Sequence, residues 1–275
     1  MPHVQPPEIE VHGLSDTGLV RKDNQDALRC CHPDRDAVAE HGYLYAVADG
    51  MGGFAHGGVA STLALEHLFT AFYTSDGTTP LQRLKQGVLD ANLGILQTAN
   101  RMGVGRMGTT LTAVHLHGHT LNVVHVGDSR AYLLRDGTAT LLTQDHTRVG
   151  ELVRMRLLSP DKVRSHAQRS VLNKCLGLEM FVQPDLFCLE VFEGDQVVLC
   201  TDGVWGLIED PDFARLADPA RPLADYNQTV LDEALRRGSD DNLSILSLRF
   251  HSLSPVPHHQ PRPTLGAFFS RVFRR

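Results

Sequence analysis

The chain has 275 residues, 42% of them hydrophobic and 21% charged, with 32 acidic side chains against 26 basic ones and a formal charge of −6. That apolar share is enough to build a core, so wholesale disorder is excluded and one compact domain with a small appendage is expected. The acids divide into 22 Asp and 10 Glu, and Asp serves both as a turn and cap residue and as a short, hard metal ligand.

No apolar run reaches the roughly 18 to 20 residues that span a bilayer, and Met1 to Glu10 lacks the basic and apolar regions of a signal peptide. These features predict a cytoplasmic protein. Cys30, Cys31, Cys175, Cys188 and Cys200 show no CxxC spacing, which argues against zinc and against a disulfide framework and places most of them in the core. Residues 251–275 hold four Arg and no acid, leaving 22 basic and 32 acidic residues in the remainder. Nucleic acid is therefore not an expected partner of the main domain.

In chain order, strands are predicted at Gly42 to Ala48, Thr110 to His117, Thr120 to Val126, Arg130 to Arg135, Asp185 to Val191, Gln196 to Thr201 and Leu243 to Phe250. Between the first two lie amphipathic patterns at Val59 to Tyr73 and Pro80 to Arg101, each long enough for a helix. Gly118-His119 and Asp136-Gly137 mark hairpin turns, so an α+β layered domain with antiparallel sheet is expected. The expected domain covers residues 8–250. The Pro- and His-rich stretch 251–263 reads as a linker, and 264–275 as a short basic amphipathic tail. In that tail Leu265, Phe268, Phe269, Val272 and Phe273 recur at helical spacing among Arg271, Arg274 and Arg275. Such a tail suits peripheral docking on a membrane or a protein.

Asp49, Asp128 and Asp202 each fall at or just past the end of a predicted strand, and Asp241 just precedes one. Period-2 alternation places Asp49 with Tyr45 and Val47, Asp128 with Val124 and Val126, and Asp202 with Val198 and Cys200. Two uncompensated charges about 4 Å apart repel by roughly 4 kcal/mol even at an effective dielectric of 20. If these side chains converge, hard divalent ions such as Mg²⁺ or Mn²⁺ are the natural counter-charge. The bland alternative is four unrelated turn residues. Spacing does not decide between them.

The residues around these positions are more specific. Arg21-Lys22-Asp23-Asn24-Gln25-Asp26, Asp49-Gly50-Met51-Gly52-Gly53, Met107-Gly108-Thr109-Thr110, Gly127-Asp128-Ser129-Arg130, Asp145-His146-Thr147, Leu176-Gly177, Thr201-Asp202-Gly203-Val204-Trp205 and Asp240-Asp241-Asn242 follow one another in this order. The series resembles the PP2C-type (PPM) metal-dependent protein serine/threonine phosphatases, specifically their compact bacterial members, from about Leu14 to Phe250. The resemblance implies an α+β fold, an antiparallel β-sandwich flanked by helices on both faces (PP2C-like αββα). It implies two Mn²⁺ or Mg²⁺ ions, with Asp49 bridging both, the Gly50 carbonyl on one, and Asp202 and Asp241 on the other. A third, weaker ion would take Asp128 with Asp202, Asp26 would act through a bound water, and Arg21 would bind the substrate phosphate.

The implied reaction is direct hydrolysis of phosphoserine or phosphothreonine in proteins by a water bridging the metals, without a covalent intermediate, reversing Ser/Thr kinase signalling. Asp49, Asp202 and Asp241 are then the catalytic set. The implied partners are phosphoproteins, including a Ser/Thr kinase or its substrates, and the chain is expected to be a monomer. Gln25 and Met51 depart from the pattern of eukaryotic members, which carry Glu and His there, and resemble bacterial relatives. Within the same fold, the alternative is a non-catalytic binding module acting through flap and tail. Retention of Arg21, Asp49, Asp128, Asp202 and Asp241 argues against it.

The segment Thr147 to Pro184 corresponds to the family's variable flap, with helical stretches at Val149 to Leu158 and Pro160 to His166. Their Arg154, Arg156, Lys162 and Arg164 form a candidate positive surface for a phosphopeptide. Other signals carry less. The GxGxxG at Gly103 to Gly108 follows a helical pattern instead of a strand, and His115, His117 and His119 lack acidic or thiolate partners for a metal.

Overall fold

The computed structural model describes residues 7–30, 35–51, 56–75 and 79–253. Its strands in chain order are β1 (Glu8–Asp16), β2 (Asp26–Cys30), β3 (Tyr43–Asp49), β4 (Leu111–His117), β5 (Thr120–Val126), β6 (Arg130–Arg135), β7 (Thr138–Leu141), β8 (Asp185–Glu190), β9 (Gln196–Cys200) and β10 (Leu243–Ser252). They form two five-stranded sheets, β1-β10-β9-β6-β7 and β2-β3-β4-β5-β8, and every pairing is antiparallel. The helices are α1 (Arg35–His41), α2 (Gly57–Thr74), α3 (Pro80–Met102), α4 (Arg148–Arg154), α5 (Asp202–Trp205), α6 (Asp210–Arg215) and α7 (Leu223–Arg236).

Alternation along the strands sorts side chains into layers. In β3, Leu44, Ala46 and Ala48 pack against α2 and α3, while Tyr45 and Val47 enter the space between the sheets with Val197, Leu246 and Leu248. On the far side of the other sheet, Tyr132, Val198, Cys200 and Ile245 pack with Tyr226 and Val230 of α7. The result is the expected αββα sandwich.

Local chemistry sets the element ends. Thr79 caps α3 in a capping box with Gln82, Pro80 occupies the first turn, and Gly103 closes the helix at φ 66°. Gly118 (φ 59°) turns the β4–β5 hairpin, and Asp136 and Gly137 (φ 49° and 73°) turn the β6–β7 hairpin, both where the sequence marks them.

Several elements differ from expectation. Strand β10 continues to Ser252 rather than ending at Phe250, because its end pairs with Glu8 of β1, and Leu253 then packs into the inter-sheet core. The sequence reading omits β1, β2, α1, α5, α6 and α7. In α7, Leu223, Tyr226, Val230, Leu231 and Ala234 are buried at helical spacing, a signal present in the sequence and outweighed there by the polar Asp225, Asn227 and Gln228. Asn227 is itself buried, donating to the His12 carbonyl at 2.8 Å and accepting from Ser247 at 2.6 Å.

Among the four described cysteines, Cys200 is buried, Cys175 partly so, and Cys30 and Cys188 are exposed, so these four do not follow the expectation that most serve the core. Cys31, Gly52, Gly53, the linker from Ser254 onward and the tail at 264–275 lie outside the described residues. His115 is a core residue: its Nε2 lies 2.6 Å from the His41 carbonyl, and burial lowers its pKa to about 4. No helix among the described residues is long and apolar enough to cross a membrane.

Leu248 is fully buried between the sheets. Leu248→Ala is expected to lower unfolding free energy by about 2–5 kcal/mol in urea titration, with an unchanged denaturant slope.

Candidate metal centre

The acidic residues meet at one end of the sandwich, by different routes. Asp26 and Asp49 are register partners across the β2–β3 ladder. Asp49 is locked at the strand end: its N–H donates to Thr110 Oγ1 at 2.9 Å, and its carbonyl accepts from the Thr110 N–H at 2.9 Å and Thr109 Oγ1 at 2.8 Å. Alternation holds for Asp49, which shares the inter-sheet face of Tyr45 and Val47.

For Asp128 and Asp202 alternation does not apply. Val124 and Val126 face the α2–α3 layer, while Val198 and Cys200 face the α7 layer, so strict alternation would send the two carboxylates to opposite outer faces. Both strands end first. Gly127 turns the chain at φ 109°, a conformation open to glycine, and Thr201 is the residue before α5, which Asp202 begins. Those turns bring both side chains back to the end of Asp49's strand.

Burial and mutual repulsion then dominate the electrostatics. Burial, with the charges of Asp202 and Asp241, pushes Asp26 up to about 7, against the nearby Ser244 and Thr201 hydroxyls, which favour its ionised form. The Thr201 hydroxyl donates to Asp26 Oδ2 at 2.8 Å. Asp202 rises to about 6 through burial and the Asp241 charge, and its carboxyl is within hydrogen-bonding reach of Asp49. Asp49 and Asp128 are held well above the carboxylate range, again by burial first and by the other acids second. Among the described residues, the one ion pair these five carboxylates make is Arg21 Nη2 to Asp241 Oδ2 at 2.7 Å.

Hard divalent ions fit this donor set. Asp26 Oδ1, Asp202 Oδ1 and Gln25 Oε1 are buried oxygens with no hydrogen-bond donor, and a buried acceptor left unpaired is costly unless something positive meets it. Every donor is an oxygen, which selects Mg²⁺ or Mn²⁺ over zinc. As the side chains stand, no three acidic, His or Cys groups among the described residues are clustered tightly enough to hold one ion, and Asp241 is turned to Arg21. Gly50 sits where its N–H donates to the Gln25 carbonyl at 3.1 Å, and any Cβ there would collide with the Gly57 and Gln25 backbone. The chain can pass this closely only as glycine.

Arg21 stands between two clefts on either side of Asp241. One is lined by Asp128, Arg169, Asp202 and Trp205, and the other by Lys22, Gln25, Gly50 and Asn242. Asn242 holds the loop that carries Arg21: its Nδ2 donates to the Thr17 and Asp23 carbonyls at 2.9 and 3.0 Å, and its Oδ1 accepts from the Gln25 N–H at 2.9 Å. Sequence reasoning quotes Asn242 only as part of a motif. Thr201 is likewise assigned no role there, and its neighbours in sequence do not reveal one, because its hydroxyl meets Asp26 from across the fold.

The flap differs from expectation. Only Arg148–Arg154 is α-helical, Pro160–Lys162 is a single 3₁₀ turn, and the rest is turns, closed by a bridge between Thr147 and Leu172. Of its expected positive surface, Arg154 is paired with Glu151 at 3.2 Å, and Arg164 is drawn inward onto the Trp205 and Ile208 carbonyls.

Fold and cleft together define a class: a four-layer αββα protein with a carboxylate pocket suited to hard divalent ions. The sequence profile described as protein phosphatase 2C matches residues 20–237. The chain belongs to the protein phosphatase 2C family. It is 37% identical over 234 residues to the serine/threonine protein phosphatase PstP of Mycobacterium tuberculosis, a match covering 84% of this chain and 43% of PstP. The chain thus spans less than half the length of that relative. It is 31% identical over 208 residues to the serine/threonine phosphatase stp of Listeria welshimeri, covering 74% of this chain and 82% of that protein. The crystal structure of the PstP catalytic domain in complex with two manganese ions superposes with a TM-score of 0.74 at 32% identity, covering 89% of this chain and 99% of that one.

The raised carboxylates give a pH dependence whose sign is fixed. Asp26 and Asp202 bind protons more tightly folded than unfolded, so their contribution is full below about pH 4 and is lost as pH rises through about 6 to 7. In EDTA, the melting temperature is expected to fall by several degrees between pH 5 and pH 8, and Mn²⁺ is expected to restore it at pH 8.

Proposed function

We propose that this chain is a metal-dependent protein serine/threonine phosphatase that hydrolyses phosphoserine and phosphothreonine in proteins by direct attack of water. The observation that carries the reading is the pair of orphaned, buried carboxylate oxygens on Asp26 and Asp202, the latter lining a cleft whose cations are Arg21 and Arg169. Asp49, the Gly50 carbonyl, Asp202 and Asp241 hold two Mn²⁺ or Mg²⁺ ions, Asp128 and Asp202 hold a third more weakly, and Asp26 acts from behind Asp49 through water. Bound there, the ions would acidify a shared water and offset charge on the phosphoryl oxygens. The manganese in the PstP structure supports this choice of ion.

Arg21 orients the phosphate. A guanidinium stays charged at any working pH and presents a planar fork matched to two phosphoryl oxygens. In its present position it neutralises Asp241, so one side chain serves carboxylate and phosphate in turn. Asp49 and Asp202 are kept ionised for metal by the ions themselves, since their own surroundings favour protonation. Met51 packs toward Gly108, its N–H donating to the Gly108 carbonyl at 3.0 Å, and a thioether has no proton to give the leaving group. Water or another group supplies that proton. A non-catalytic module would leave this set of repelling carboxylates without a purpose.

The substrates in this reading are phosphoproteins of a Ser/Thr kinase pathway in the cytoplasm, including the kinase or its targets, and the chain acts as a monomer. The basic tail at 264–275 adds docking on a membrane or a protein.

Asp202→Asn and Asp241→Asn are each expected to lower Mn²⁺-dependent hydrolysis of p-nitrophenyl phosphate by about 100-fold or more, with an unchanged circular dichroism spectrum. Full activity in either variant removes the assignment. Co-sedimentation with anionic liposomes is expected to weaken when residues 264–275 are deleted, and equal binding eliminates the membrane role.

A further inference from the structure

Arg164 belongs to the flap by sequence, yet only 20% of its side chain is exposed. Its Nε donates to the Trp205 carbonyl at 2.9 Å, and its Nη2 donates to the Ile208 carbonyl at 3.1 Å and to Asp210 Oδ1 at 2.6 Å. The preceding Val163 is buried in the core that packs under α7. The flap is pinned at these two residues.

The acceptors decide what that pin does. The Trp205 and Ile208 carbonyls lie at and just beyond the C-terminal end of α5, where a guanidinium is favoured by unsatisfied carbonyls. Helix α5 spans Asp202–Trp205, a single turn, and one turn has too few hydrogen bonds of its own to fix its direction. Holding its last carbonyl therefore orients its first residue, Asp202.

Trp205 also reaches the other turn-borne carboxylate. Its Nε1 donates to the Asp128 carbonyl at 2.8 Å, and the Arg130 guanidinium lies 3.6 Å over its ring. Arg130 is fixed in turn by Asp145, through Nε at 2.9 Å and Nη2 at 2.7 Å. Asp210 closes the circuit by accepting from the Tyr132 hydroxyl at 2.9 Å. Asp128 and Asp202, the two acids that no strand direction places, are both tied to Trp205, and the backbone of Trp205 is tied to Arg164.

We propose that Arg164 is a positioning residue of the metal centre, which fixes α5 and Trp205 and thereby sets how Asp202 and Asp128 meet the ions. The inference rests on the metal-dependent reading given above, and it removes Arg164 from the surface offered to a phosphopeptide. Groups that hold metal ligands in place are typically worth about 10–100-fold in ion affinity.

The test is calorimetric titration of Mn²⁺ into the full chain without substrate, for the parent, Arg164→Ala and Arg164→Lys. The Mn²⁺ dissociation constant is expected to rise about tenfold or more in Arg164→Ala, with Arg164→Lys, which keeps the charge but lacks the planar fork that reaches all three acceptors, between the two. In metal-free protein, amide exchange at Gly206, Leu207 and Ile208 is expected to quicken in the same order. A folded Arg164→Ala whose affinity stays within about twofold of the parent overturns the proposal. Should that variant fail to fold, the same threshold applied to Arg164→Lys decides. A parent chain that binds no Mn²⁺ overturns the metal-dependent reading itself, whereas equal binding by parent and variant overturns only the role of Arg164.

Discussion

Five carboxylates gathered at one end of a β-sandwich repel one another, and much of the structure around them exists to hold them against that repulsion. Asp26 and Asp49 face each other across a ladder, Asp49 and Asp202 are close enough to share a proton, and burial raises the charge cost of each. Protein cations do not cancel this charge: Arg21 meets Asp241 alone. A site with such an unbalanced charge is stable when ionised only if something else brings the missing positive charge.

The fold supplies rigidity where that repulsion would otherwise open the cleft. Strand β3 delivers Asp49 from inside its sheet, next to the edge strand β2, β10 begins immediately after Asp241 and Asn242, and Thr201 links the sheets by donating to Asp26 while accepting from the Ser244 N–H at 3.0 Å. The two sheets are thus joined at the site by a hydroxyl and a carboxylate as well as by the apolar core. Asn242 ties the Arg21 loop to the same end. The acidic end is polar and strained by charge, whereas at the opposite end β4 and β5, and β6 and β7, are joined by ordinary hairpin turns.

How much of this was legible in the sequence depends on which force placed each residue. Hairpins at Gly118 and Asp136-Gly137, and the layer of Asp49, follow from local turn chemistry and alternation, so residue types alone give them. The convergence of Asp128 and Asp202 does not, because alternation points them to opposite faces and two turns, one at Gly127 and one into α5, override it. The ordered series of motifs identified those positions when geometry from the sequence could not. Arg164 shows the opposite failure: a charged residue in a flap reads as surface, and only tertiary contact with helix-end carbonyls reveals it as turned inward. In helix α7 polar residues that the fold buries, Asn227 among them, interrupt the apolar pattern, whereas β1 alternates Ile9 and Val11 with Glu8, Glu10 and His12, a strand signal present in the sequence.

The central claim is that the acidic end of the sandwich is a centre for divalent ions. Anomalous diffraction at the manganese absorption edge, from crystals grown with Mn²⁺, tests it most directly. The account predicts at least two strong peaks in contact with Asp49, Asp202 and Asp241, with Arg21 released from Asp241. Peaks elsewhere on the surface, or a cleft without bound manganese and with the Arg21–Asp241 pair intact, would contradict it.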